Sequence, residues 1–424
     1  MTRTIKLDHI CKIEGHASLT LSIDKGRLKR CELGATEGAR YFEGIVRGRK
    51  YNEAHELTSR ICGICSSAHV VCALHAIEDA LGMKTSRQTE DLRVLLTLAE
   101  RIRSHATHLY FLALPDYLGY ESALAMAPKF KKELQQALRI MKTGNRLNAL
   151  LAGRDLHPVS ATVGGWLKLP RTEELRSMAK ELKAVKKDAI ATCRLFFSLE
   201  QPTMETESEF FSLKDRKGFA VLRGDFTSAQ ASFPKEQYLD FIREYHRPYS
   251  TANFVVKDEK RYMVGALARF NNNGEQLSPS ARKMLRESGI ALPSRNPFIN
   301  NLCQAIEIVH CIDHAIDLCA TITIKQEKPK KARVRAGRGV GCIEVPRGTL
   351  WHDYTLDEQG IIINANIITP TAQNLLSAQE DIRTFVSGHL DMKKDELIMA
   401  VEKLIRAYDP CFSCSAHFLE VKWE

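Results

Sequence analysis

Apolar and polar residues alternate strictly along "ASLTLSID", so Leu19, Leu21 and Ile23 fall on one face of a strand, and "DKG" then supplies a turn. This pattern predicts a β-rich N-terminal segment over residues 1–60. From about residue 65 the period lengthens to three and four. Leu92, Leu95, Ala99, Ile102, Ala106 and Leu109 form one apolar stripe over about five helical turns. A second long helix is expected from Thr172 as N-cap, with Glu173 and Glu174 in its first turn, through Leu175, Met178, Leu182, Val185 and Ala189. A third carries Leu302, Ile306, Val309, Ile312, Ile316 and Cys319.

Helices of this length with one apolar face each predict a central bundle. Its two parts would span 61–200 and 296–330, separated by a mixed α/β insertion over 201–295 where periodicity is poor. Residues 331–375 revert to strands and turns, as in "LDEQG" followed by "IIINANIIT", and 376–424 hold a last helix, near 376–407, and the tail. The expected fold is mainly α with α+β parts, a long-helix bundle whose N- and C-terminal β-containing segments meet. No internal repeat or low-complexity linker interrupts it, apart from two related cysteine phrases.

The chain has 424 residues, 44% hydrophobic and 26% charged, as in ordinary globular proteins. No apolar run approaches the roughly 20 residues of a membrane span. "MTRTIKLDHICKIEGH" lacks the apolar core of a signal peptide, which predicts a cytoplasmic protein unless a partner carries it across a membrane. The formal net charge is +10, but the basic residues are scattered. The densest run, "KPKKARVRAGRG", has no interleaved aromatics for base stacking, so it reads as a solvated loop or a protein interface rather than a nucleic-acid site.

The two phrases change the picture. "RICGICSSAH" and "DPCFSCSAH" each place two cysteines three apart with a histidine just beyond, one near each end of the chain. Four soft thiolates around one point suit zinc, iron–sulfur clusters, nickel or copper(I). A zinc ribbon usually spaces its pairs about 15–20 residues apart, whereas here the second pair begins at 411, 346 residues beyond 65. A thioredoxin-type redox pair needs one CxxC, not two. Spacing alone leaves open a single tetrathiolate site, a structural zinc, and two half-sites completed by other subunits. Eight further cysteines (11, 31, 72, 193, 303, 311, 319 and 342) read as small, buried, reduced side chains.

In these phrases the chain resembles the large (catalytic) subunit of [NiFe] hydrogenases. "KIEGH" at 12–16, "EGARYFEGIVRGR" at 37–49, "EVPRG" at 344–348 and "IITPTAQN" at 367–374 match family segments in the family's order, so the resemblance spans essentially the full length. The short first phrase looks most like the cytoplasmic, cofactor-coupled members. A related large subunit at the quinone site of respiratory complex I shares the fold but lacks these four cysteines. The alternative function is therefore a metal-free or zinc-bound scaffold of a redox complex.

The resemblance implies reversible heterolytic cleavage of H2 at a nickel bound by Cys62, Cys65, Cys411 and Cys414. Cys65 and Cys414 would bridge to an iron carrying CO and cyanide. Glu14 would be the acid–base group beside nickel, although its residue type alone suits a surface carboxylate at a strand end. His16 reads as structural. Arg347, restrained by Asp409, would overhang the metals. Pro370 and Thr371 would pack on the iron's diatomic ligands, and His69 would donate to the Cys65 sulfur. Glu43, His417 and the backbone at Ile367 would hold a magnesium or similar hard ion.

One departure is Ser104, where uptake-type members carry aspartate. His105 and His108 either fill that role or face solvent. His310 and His314, four apart in "HCIDH", read as structural, and "GRGVG" lacks the strand–loop–helix context of a phosphate loop. The implied partners are an iron–sulfur small subunit, further electron-transfer subunits, nickel-insertion factors, and a maturation protease removing "FLEVKWE" after His417.

Overall fold

The computed structural model describes residues 2–38 and 41–416. The N-terminal segment is an antiparallel meander of β1 (Thr2–Leu7), β2 (Ala17–Asp24) and β3 (Arg27–Ala35). Burial alternates along β2, with Leu19, Leu21 and Ile23 inward. The turn to β3 is Lys25–Gly26, both at positive φ (47° and 70°), the mirror-image turn whose twist suits a two-residue hairpin. The stretch expected to be β-rich does not stay so: α1 (Phe42–Val46) and a further short helix, Ala54–Thr58, lie within it. Both are too short to show a helical period.

The core holds α2 (Ser66–Ala80), α3 (Arg87–Thr107), α4 (Lys131–Ala152), α5 (Thr172–Phe197), α6 (Ala266–Asn273) and α7 (Asn300–Thr321). Helices α3, α4, α5 and α7 pack on one another as the bundle, and the whole Leu92–Leu109 stripe is buried. Ser86 caps α3 by accepting from Thr89 N. Helix α5 begins one residue away from the expected cap. Arg171 is the N-cap, its amide taken by Glu174, while the Thr172 hydroxyl accepts from Ile324 N instead. Beyond α3 the chain widens into a π-helical turn over His108–Ala113.

Residues 201–295 form small sheets around a second core of Phe211, Phe226, Phe233, Tyr238, Tyr262 and Trp351. Trp351 belongs to the C-terminal sheet, an antiparallel meander of β4 (Gly337–Val345), β5 (Gly348–Leu356) and β6 (Ile362–Ile368). Helix α2 lies directly on β4. Gly337, Gly339 and Gly341 make that possible: a Cβ on any of them would sit 2.1–2.4 Å from the α2 backbone. The glycines of "GRGVG" are a seat for a helix.

After β6 come α8 (Pro370–Gly388), α9 (Lys394–Ala407) and the short α10 (Phe412–Ser415). The single helix expected near 376–407 is thus two. The first starts at Pro370, which suits the first helical position, and it ends at Gly388. Sheet β1–β3 packs on α8, with Leu33 N donating to Gln379 Oε1 at 3.2 Å, so the two ends of the chain are neighbours. Of the eight cysteines outside the phrases, seven are buried as expected, and Cys11 is exposed.

Candidate metal centre

Cys65 is the N-cap of α2, with Cys62 in the preceding turn, and Cys411 is the N-cap of α10. The two ends are joined by the backbone. Glu14 and Cys411 form a parallel bridge, and Phe412 N donates to Glu14 O at 2.9 Å. Gly15, at φ +81°, is needed there because a Cβ would meet Ser413 N at 2.6 Å. Cys411 N donates to Thr371 Oγ1 at 2.8 Å. The result is four Sγ atoms within 4.8 Å of one another, Cys62 and Cys411 being 3.7 Å apart, none of them in a disulfide and all 5% exposed or less.

Two charged side chains frame the sulfurs. Glu14 Oε2 is 2.8 Å from Cys411 Sγ, and its Oε1 is 3.7 Å from Cys62 Sγ. On the other side stands Arg347, in the two-residue link Pro346–Arg347 between β4 and β5. Its Nη1 donates to Cys65 Sγ at 3.2 Å and lies 3.5 Å from Ser104 Oγ. Its Nε donates to Asp409 O at 2.9 Å, and Nη2 pairs with Asp409 Oδ1 at 3.1 Å. Gln304 Nε2 holds the other Asp409 oxygen at 2.9 Å. Burial alone would favour a neutral Arg347, yet Asp409 and the surrounding sulfurs keep its pKa well above the ordinary value. Among the thiols, hydrogen bonds from Cys411 and Cys414 pull Cys62 and Cys65 down, while burial pushes Cys411 and Cys414 up.

The other expected residues also gather here. Pro370 and Thr371 open α8 and are buried. Glu43 Oε1 accepts from Ile367 N at 2.7 Å, which brings two of the three expected hard-ion residues together; His417 lies outside the described residues. The His69 ring meets His352, Nδ1 to Nε2 at 3.0 Å, and His352 Nδ1 lies 2.7 Å from Tyr354 Oη. His105 and His108 are fully buried, so neither faces solvent: His105 pairs with Glu307, while His108 bonds Gln304 and Arg406 O and lies 3.8 Å from Oδ1 of Asp409, the carboxylate that holds Arg347. His310 Nδ1 accepts from Ser278 N, a structural role.

Glu100 was not foreseen. Its carboxylate accepts from Ser67 N at 2.7 Å and Ala68 N at 3.3 Å, capping the first turn of α2 next to Cys65. Burial, then the charge at Cys65, pushes its pKa up to about 8. The apolar stripe of α3 gave no hint of it, because the polar face of that helix (Glu100, Arg101, Ser104, His105) is buried as well.

Among the described residues, the four cysteines are the one grouping of three or more His, Cys, Asp or Glu side chains close enough to hold an ion. The model of a family described as nickel-dependent hydrogenase matches residues 40–141 and 295–417, which include both phrases. The chain belongs to the nickel-dependent hydrogenase family. It is 37% identical to sulfhydrogenase 1 subunit alpha of Pyrococcus furiosus over 98% of each chain. It is 33% identical to sulfhydrogenase 2 subunit alpha of the same organism, over 98% of this chain and all of that one. The crystal structure of an NAD+-reducing [NiFe]-hydrogenase in the H2-reduced state superposes with a TM-score of 0.90 at 24% identity, covering 98% of this chain and 99% of that one. Family and site together make this hydrogenase the catalytic subunit of an oxidoreductase acting on H2, and nothing favours the scaffold reading. No helix of the described residues is long and apolar enough to cross a membrane.

Proposed function

We propose that Cys62, Cys65, Cys411 and Cys414 would together hold a nickel–iron centre whose iron bears CO and cyanide, Cys62 and Cys411 serving nickel and Cys65 and Cys414 serving both metals. The observation that carries this reading is the set of four buried, unbridged thiols with a carboxylate 2.8 Å from one of them. A soft all-sulfur donor set fits nickel and iron, and the thiolate charge it brings into the interior has a counter-cation in Arg347. When bound, the metals supply the electron-rich centre at which H2 is split into protons and electrons.

The chain's own groups handle the protons and the geometry. Glu14 Oε2 is within proton-transfer reach of Cys411 Sγ, and Glu14 is only half-buried, so it accepts a proton at the sulfur and passes it outward. Arg347 holds a fixed positive charge against Cys65, aimed by Asp409, and Thr371 fixes the Cys411 backbone. Glu43 and the Ile367 backbone, with His417, would hold a magnesium or similar hard ion, which would tie the C-terminal segment to the core.

Electrons pass to an iron–sulfur small subunit. Burial raises the pKa of seven of the eight remaining cysteines, which suits protonated packing thiols rather than cluster ligands. We further propose a cytoplasmic, cofactor-coupled complex, reached after nickel insertion and removal of the residues beyond His417 by a maturation protease. Elemental analysis and infrared spectroscopy of the purified complex test the reading. It requires one nickel per catalytic subunit, iron in excess of nickel because the small subunit's clusters add theirs, and CO and cyanide bands, whereas zinc in place of nickel without those bands would return the scaffold.

A further inference from the structure

Behind Arg347 lies a cluster of charged side chains with no solvent exposure: Arg101 on α3, Arg269 on α6, Glu307 on α7 and Glu344 on β4, with His105 beside them. Such a cluster is an expensive way to fill a core, since apolar side chains of the same volume are often as stabilising or more so. Its hydrogen bonds show a different use. Arg269 spends all five N–H groups: Nε and Nη2 grip Glu307 at 2.7 and 2.6 Å, Nη1 reaches Glu344 Oε2 at 2.9 Å, and Nη1 and Nη2 donate to Val345 O and Pro346 O, both at 3.0 Å. Arg101 donates to Glu344 O at 2.6 Å and to Glu307 at 3.2 Å. Glu344 Oε1 is held by Leu213 N and by Thr349 Oγ1 across the hairpin.

Three consecutive carbonyls, those of residues 344, 345 and 346, are therefore held by two guanidinium groups, and the next residue is Arg347. We propose that Arg269, locked by Glu307 and assisted by Arg101, is a positioning residue that clamps the β4–β5 hairpin tip so that the Arg347 guanidinium stays seated at Cys65. The cluster balances two cations against two carboxylates, and His105 serves Glu307 through Nε2 at 2.8 Å as a neutral ring, because burial lowers its pKa. Lysine cannot replace Arg269: it has three donors, no planar fork, and cannot bind Glu307 bidentately while reaching two carbonyls. This inference rests on the proposed role of Arg347.

The test compares Arg269→Lys, Arg347→Lys and the double variant in the intact enzyme complex, with turnover normalised to nickel content. A clamp acting through Arg347 makes the losses non-additive. Each single variant falls by about ten- to a hundredfold, as misplacing a reacting group by about 1 Å does, and the double falls no further than Arg347→Lys within about twofold. Multiplying losses overturn the proposal, as does a nickel-replete Arg269→Lys with unchanged turnover.

Hydrogen–deuterium exchange of the same protein supplies a readout independent of activity. Faster exchange confined to residues 344–350 supports the clamp, and exchange raised throughout the bundle contradicts it. Should Arg269→Lys not fold, Thr349→Val loosens the same hairpin more gently and must speed exchange at that tip. A parent complex with no nickel or hydrogen activity would instead reject the proposed function, and the exchange comparison would still judge the clamp.

Discussion

Replacing Gly341 with alanine presses on the metal centre from a distance. A Cβ there would lie 2.2 Å from the Cys72 carbonyl oxygen and 3.1 Å from Ala76 N, whereas real Cβ contacts essentially never fall below 3.0 Å. Helix α2 must therefore retreat from β4 by about 0.8 Å, and its N-cap is Cys65. Overpacking of this kind costs about 1–3 kcal/mol, while alanine returns roughly 0.5–1 kcal/mol by restricting the unfolded chain. The net loss is about 0–2.5 kcal/mol. With unfolding entropy of about 2.1 cal/mol/K per residue, a chain this long shifts its melting temperature by at most about 3 °C for that loss. Melting is thus a blunt assay, and retention of nickel during dialysis against a chelator is the sharp one. We expect Gly341→Ala to lose nickel several-fold faster than Gly218→Ala, whose new Cβ meets nothing within 4 Å. Equal retention in the two variants would refute the argument that the glycine seat positions Cys65.

Three further outcomes follow from the geometry. Glu14→Gln keeps the shape but not the proton acceptor 2.8 Å from Cys411 Sγ, so H2 oxidation should fall about 10²–10⁴-fold at unchanged nickel content; a loss below tenfold would place the proton route elsewhere. Thr371→Val leaves the buried Cys411 amide without its acceptor, costing about 1–3 kcal/mol, and should lower metal occupancy more than Thr227→Val, which removes a solvent-exposed hydroxyl bond to Ser232. Stability should also decline as pH falls from about 6.5 to 4. Burial holds His55 near 4 and His310 near 3, so the unfolded chain takes up protons in that window that the folded chain does not, removing up to about 1.4 kcal/mol per pH unit for each. Urea midpoints at several pH values measure this, and His310→Gln should flatten the slope; a pH-independent midpoint would contradict the burial argument.

Periodicity made the long elements legible. The α3, α5 and α7 stripes and the alternation of β2 all emerge where one face is buried and the other is not. It failed where that contrast vanishes. The polar face of α3 is buried against Glu307, Arg347 and the first turn of α2, so the apolar stripe does not single out Glu100 or Arg101 and leaves His105 open between the site and solvent. Gly388 ends α8 within what reads as one apolar period, and the helices Phe42–Val46 and Ala54–Thr58 are too short to repeat. The site residues were legible through the two cysteine phrases and the resemblance they carry. Glu14 and Arg347 have no signal of their own: only the bridge to Cys411 and the hairpin link show why they stand where they do. The glycines at 337, 339 and 341 were visible as a motif, but their partner is a helix that ends 257 residues earlier in the chain, at Ala80, and no local pattern records it.

The central claim is that the head and tail of the chain enclose one binuclear centre. Anomalous diffraction from crystals of the assembled enzyme, collected at the nickel and iron edges, tests it most directly. The account predicts one nickel and one iron peak, adjacent, inside the space bounded by the sulfurs of Cys62, Cys65, Cys411 and Cys414. A zinc peak there, or nickel bound away from these four sulfurs, would contradict it.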